Sequence, residues 1–170
     1  VSPHTESDPV AILIQLLSGF GNLIGHNAHF RVEADKHTAR LNAVLVGDTG
    51  KGRKGTSVNI VKRLIGSLDA EWQTNCHKQG LSSGEGVIWN VRDATSDKDL
   101  GVMDKRLWVI ESEFGSTLKI LSREGNSLSG IIRQAWDDGN LATLTKNSPV
   151  KATNAHISVI GHITEEELRK

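Results

Sequence analysis

The chain is poor in several features that would fix its class at once. Cys76 is the single cysteine, so no disulfide can form within the chain, and a reducing, cytoplasmic setting is expected rather than secretion. No apolar run approaches the ~20 residues that a membrane-spanning helix needs, and no membrane partner is expected. Lys plus Arg and Asp plus Glu both number 20. A summed charge of zero leaves no global electrostatic footprint for nucleic acid, so such a partner has to be argued locally. The stretch around Val1 combines no basic segment, apolar core and cleavage site, which argues against a leader peptide. Position 1 is not Met, and the chain is expected to be a fragment of a longer one. Internal repeats and low-complexity tracts are also missing. What is present is 170 residues, 37% apolar and 24% charged, read as one domain over residues 1–170 with a real core.

Asp8 before Pro9 offers an N-cap with proline at the first helical position, and the apolar residues of VAILIQLLSGFGNLIG recur at helical spacing. This predicts a buried helix over 9–24. HFRVEAD alternates and reads as a short strand; LNAVLV is apolar almost throughout, as a strand covered on both faces would be, and is expected at the sheet centre. TSVNIVKRLIGSL sets Val58, Ile60, Val61, Leu64, Ile65 and Leu68 along one helical stripe. GLSSGEGVIWNVRD predicts a helix after a serine-rich start, and DATSDKDLGVMDK an exposed loop. LWVI is a second buried strand, LSGIIRQAWDDG a helix stopped by Gly139, NLATLTKNSPVKATNAH a polar hairpin, and HISVIGHIT a third strand. Thr164 and Glu167 form a capping box for a last helix. Strands alternating with helices predict an α/β fold with a mostly parallel central sheet flanked by helices, its core at about 40–168.

Between LNAVLV and the following helix stands VGDTGKGRKGTS. Phosphates are bound well where backbone N–H groups converge and a helix dipole presents its positive end, and only a glycine-rich loop bends tightly enough to bring them together. Gly47, Asp48, Thr49, Gly50, Lys51, Gly52, Arg53, Lys54, Gly55, Thr56 and Ser57 are therefore the candidate nucleotide cradle. The segment departs from GxxxxGK[ST], because Arg53 falls at the lysine position and Gly55 separates Lys54 from the hydroxyls. A loop one residue longer makes Lys54 the phosphate lysine, with Lys51 as rival, and makes Thr56 the Mg²⁺ ligand, with Ser57 as the other hydroxyl.

An ATPase also needs a carboxylate at the end of a neighbouring strand, to hold Mg²⁺ through water and to orient the attacking water. In LWVIESE, Glu111 and Glu113 are two apart, so on an extended chain they share a side; catalytic and metal roles fall to the two jointly. In HISVIGHIT, His162 closes the strand and is a candidate sensor of bound nucleotide, since ligands of open α/β sheets collect at the carboxyl ends of strands. Weaker candidates are Glu85 at a helix start, Arg133 as an arginine acting on a neighbour's nucleotide, and the four tryptophans as stacking surfaces for single-stranded nucleic acid. His26, His29, Cys76 and His77 match no strong zinc pattern, and no structural zinc is expected.

VGDTGKGRKGTS, GLSSGEGVIW, VIESEFG, RQAWDDG and HISVIGHIT occur in an order that resembles RecA/DnaB-like P-loop ATPase domains beside primase-polymerase modules of mobile elements. The likeness covers most of residues 9–168. It implies a RecA-like core, ATP hydrolysis with Mg²⁺, helicase or DNA-dependent motor activity in replication with single-stranded DNA as partner, and a homo-oligomer of the ring kind, such as a hexamer. A nucleotide-gated scaffold or regulatory module with little turnover is the alternative.

Overall fold

The computed structural model describes residues 4–47, 54–143 and 149–170. In chain order the elements are α1 (Pro9–Ile24), β1 (His29–Val32), β2 (Asp35–Thr38), β3 (Ala43–Val46), α2 (Lys54–Gly66), α3 (Ala70–Asn75), β4 (His77–Lys78) and α4 (Gly84–Trp89). There follow β5 (Arg106–Glu111), α5 (Phe114–Leu121), α6 (Leu128–Asp137), β6 (Leu141–Ala142), β7 (Lys151–Ala152), β8 (His156–Ile163) and α7 (Glu165–Leu168). The main sheet runs β3-β8-β5-β4, every pair parallel. This is the expected α/β architecture, a parallel sheet with helices on both faces. None of the described helices is long and apolar enough to cross a membrane.

Alternation along the strands sorts the core into two layers. Trp108, Ile110 and Ile160 pack against α1, α2 and α3 with Ile12, Val61 and Trp72, whereas Leu107, Val109, Ile157 and Val159 face Ile88, Leu128 and Ile131 of α4 and α6. α1 starts where expected: the Asp8 carboxylate accepts from the N–H groups of Val10 and Ala11 at 2.7 and 3.2 Å, satisfying two free donors of the first turn. The helix then lies close on the sheet. A Cβ on Gly19 would come within 2.8 Å of Ile65 and 3.0 Å of Trp108, so only glycine permits this approach. Two polar residues on the buried face of α1, Asn22 and Ser18, tie the helix to the sheet and its surroundings. Asn22 donates through Nδ2 to the carbonyls of Leu107 and His156 at 3.0 and 2.9 Å and accepts from Trp72 Nε1 at 2.9 Å. Ser18 donates to Leu41 O and accepts from Trp108 Nε1.

Three expectations need correction. α1 is not buried all round: Val10, Leu13, Leu17 and Phe20 are 64%, 52%, 50% and 46% exposed. LNAVLV is not the sheet centre: β3 forms an edge among the described residues, and Val44 and Val46 are 45% and 49% exposed. The centre is β8, buried along its whole length between β3 and β5 although it carries His156, Ser158 and His162. On α2 the buried stripe is Val58, Val61 and Ile65, with Ile60 half-buried; Leu64 is 43% exposed, and Leu68, past the end of the helix in the turn that follows, is 65% exposed. HFRVEAD supplies the expected short strand, β1, which pairs antiparallel with β2 in an exposed hairpin apart from the main sheet. β6 and β7 pair as the expected polar hairpin, whose residues 144–148 lie outside the described ones. Gly139, at φ 75°, follows α6, and the Thr164–Glu167 capping box is present at α7.

Candidate functional site

Because the main strands are parallel, their carboxyl ends Val46, Ile163, Glu111 and Lys78 come to one edge of the sheet. The Gly47 N–H donates to Ile163 O at 3.1 Å, extending the β3–β8 pairing by one residue. The glycine segment thus departs from beside the end of the central strand and returns at Lys54 as the first residue of α2. Asp48, Thr49, Gly50, Lys51, Gly52 and Arg53 lie outside the described residues. Among the described residues, a Cβ built on Gly47 or Gly55 meets nothing within 4 Å. The two hydroxyls that follow have opposite fates. Ser57 is fully buried and accepts from Gln15 Nε2 of α1 at 2.6 Å; Thr56 is exposed. Of the two, Thr56 is the one a metal outside the core could reach.

Glu111 and Glu113 do not share a strand. β5 ends at Glu111, the chain turns at Ser112, and Glu113 is the N-cap residue of α5, so strand alternation cannot place the two carboxylates on one side. Glu111 is 8% exposed, and its Oε1 accepts from the N–H groups of Gly80 and Leu81 at 2.5 and 2.9 Å, fastening the segment after β4 to the end of β5. Glu113 is exposed, with no side-chain cap bond. His162 is the penultimate residue of β8, opposite Leu45 and 2% exposed. It shares a strand face with Ile160, which packs toward α1 and α2, and so lies in the layer between sheet and helices rather than at an open rim.

Glu85 lies in the first turn of α4, where both its carboxylate oxygens accept from Ser127 Oγ at 3.2 Å. Arg133 is exposed on α6 beside an apolar groove of about 310 Å³. Trp72 and Trp108 are fully buried, whereas Trp136 is 48% exposed and Trp89 is 54% exposed under the Arg92 guanidinium, 3.9 Å from its ring. Cys76 is buried; desolvation, reinforced by the neighbouring Asp104 carboxylate, pushes its thiol up to about 12, so it stays protonated at neutral pH.

A cavity of about 560 Å³ that no sequence motif marks opens beside the start of α2 and is walled by β4 and the end of β5. Lys62 and Lys78 line it; they come from different elements and form no motif, so no local pattern announces them. No family model and no curated protein matches the chain.

Proposed function

We propose that the chain is an ATP-binding P-loop ATPase with a RecA-like core, acting as a DNA helicase or DNA-dependent motor of replication. The observation that carries this reading is the convergence at one sheet edge: a strand, a glycine-rich segment and a helix N-terminus on β3 and α2, with an acidic strand end two places away across β8. Two interstrand spacings amount to about 10 Å, room for terminal phosphates and a hydrated cation between loop and acid. The first turn of α2 adds the positive end of a 13-residue helix. The residues at hand suit Mg²⁺·ATP. Thr56 is exposed for a metal contact while Ser57 is withdrawn into the core, and Lys54 would neutralise the terminal phosphates. Bound Mg²⁺ would supply charge stabilisation as phosphate is transferred to water. In this reading Glu113, exposed beyond the strand end, orients and deprotonates the attacking water, and Glu111 positions the Gly80–Leu81 segment. Single-stranded DNA as partner and a ring-shaped homo-oligomer belong to the same proposal; exposed Trp89 and Trp136 offer stacking faces for bases. The test is DNA-stimulated ATP turnover of the intact protein against Lys54→Ala. A loss of about 100-fold or more is expected for removal of a cation aimed at transition-state charge, and equal rates would reject the lysine.

One observation favours a second reading, a nucleotide-gated scaffold with little turnover: one oxygen of the buried carboxylate at the end of β5 already accepts from two backbone donors. Mg·ATP binding in calorimetry, without phosphate release from the complete oligomer with or without DNA, would establish it over the motor.

A further inference from the structure

The cavity between α2 and the β4 edge has a composition of its own. Gly55, Asn59 and Lys62 line it from α2, His77, Lys78 and Gln79 from β4 and its end, and Ser112 from the turn after β5; among the described residues no carboxylate lines it. Among the described residues neither lysine forms an ion pair, whereas Arg92, Lys105 and Arg106 each sit on an aspartate. Two like charges over one cavity repel unless an anion comes between them. Their field reaches His77 in the cavity wall: burial first, then Lys62 and Lys78, hold that imidazole at about 4. Burial also draws the Lys62 ammonium below its ordinary range, the direction a bound anion would reverse. Lys62 is the ninth residue of α2, about 12 Å along the axis from its start. Lys78 pairs with Val109, two residues short of the end of β5. The cationic end of the cavity is therefore set back from the glycine segment.

We propose that this cavity is a second anion site, in which Lys62 and Lys78, with the amides of Asn59 and Gln79, hold a phosphate group distinct from any held by the glycine segment. The group is a free phosphate ion or a phosphodiester of a nucleic-acid strand passing the β4 edge. Both are recognised by the same chemistry, ammonium and amide N–H donating to phosphate oxygens. The site does not depend on the ATPase reading.

The test uses the full chain in chloride buffer, with inorganic phosphate and then a short oligothymidylate as probes. Binding is read by calorimetry and by the emission of Trp72 and Trp108, whose rings lie 4.4 and 5.0 Å from that of His77. The expectation is saturable binding that weakens at least about tenfold in Lys78→Ala and in Lys62→Gln and persists under a saturating nonhydrolysable Mg·ATP analogue. Lys78 is exposed, so its variant keeps the fold even where Lys62→Gln does not. Displacement of phosphate by oligothymidylate, with the same lysine dependence, identifies the phosphodiester as occupant; failure to displace identifies the free ion. One-to-one displacement of phosphate by the ATP analogue assigns the cavity to the nucleotide and overturns the proposal. So does an affinity unchanged in Lys78→Ala, or the absence of saturable binding by both probes. Lysine-dependent phosphate binding in a chain that does not bind the ATP analogue upholds the second site and removes the ATPase reading.

Discussion

Replacing Glu111 and Glu113 in turn separates an anchor from an acid. Glu111 is 8% exposed, and one of its oxygens accepts from two backbone donors, Gly80 and Leu81, at 2.5 and 2.9 Å. Hydrogen bonds to a charged group contribute about 1.5–3 kcal/mol each. Sharing one oxygen, the two are not additive, so Glu111→Ala is expected to lose about 3–4 kcal/mol of a total near 5–15 kcal/mol. Glu111→Gln keeps a carbonyl oxygen of the same reach without its charge; since charge-assisted bonds are roughly twice as strong as neutral ones, its loss is about half as large. The assay is urea unfolding at pH 7. With a slope of about 2 kcal/mol/M, the midpoint falls by about 1.5–2 M for Ala and by less than about 1 M for Gln. Glu113→Gln alters an exposed side chain and is expected to move stability by less than about 0.5 kcal/mol. If the proposed ATPase reading holds, the same variant should instead lower ATP turnover about 100-fold or more, the usual contribution of a general base. Glu111→Ala as stable as the parent would refute the anchor. A folded but inactive Glu111→Gln beside an active Glu113→Gln would reverse the roles.

Asn22→Ala is expected to cost about 3–5 kcal/mol in urea unfolding, because it strips the partners from Leu107 O, His156 O and Trp72 Nε1 inside the core. Gly161→Ala would bring a Cβ to 2.6 Å from the Phe114 ring and should cost about 1–3 kcal/mol, seen as a lowered Tm. Stability should also fall as pH is lowered from about 6.5 toward 4. Burial holds His77 and His156 at about 4, so both are neutral in the folded chain, while the unfolded chain takes up protons first. The stabilisation is complete above pH 6.5, and urea midpoints at pH 7 and 4.5 measure its loss. A second acid step should appear between about pH 4 and 2. Burial alone would raise the Asp93 carboxyl, but hydrogen bonds from Thr153 and Lys105 outweigh it and hold it at about 2. After solvent screening the step is worth about 1–2 kcal/mol, and Asp93→Asn should remove it.

Where sequence and structure agree, the signal is local. The Asp8–Pro9 start of α1, the Thr164–Glu167 box and the buried run of β5 each depend on neighbours within a turn or a strand. Where they part, the deciding interaction lies elsewhere in the chain. Apolarity marks LNAVLV as a strand but does not say which of its backbone edges finds a partner. HISVIGHI looks too polar for the centre until His156 Nε2 is seen within 3.0 Å of Gly21 O, on a helix far back in the chain. β4 is two residues long and has no pattern to read. The two glutamates illustrate the same limit: the spacing suggested a shared face, but the strand stops at Glu111, and the tie to Gly80 and Leu81 joins a segment that no motif connects to it. At the candidate site, the order of glycine segment, helix and acidic strand was legible, whereas the opposite orientations of Thr56 and Ser57 depended on Gln15 of α1.

The most direct test of the nucleotide reading is amide NMR of the ¹⁵N-labelled chain titrated with a nonhydrolysable ATP analogue and Mg²⁺. Binding at the carboxyl edge predicts saturable shifts greatest at Gly47, Gly55 and Thr56, with smaller ones at Ser112 and Glu113. Amides at Gly47 and Gly55 that do not respond, or largest shifts on the β1–β2 hairpin, would contradict it.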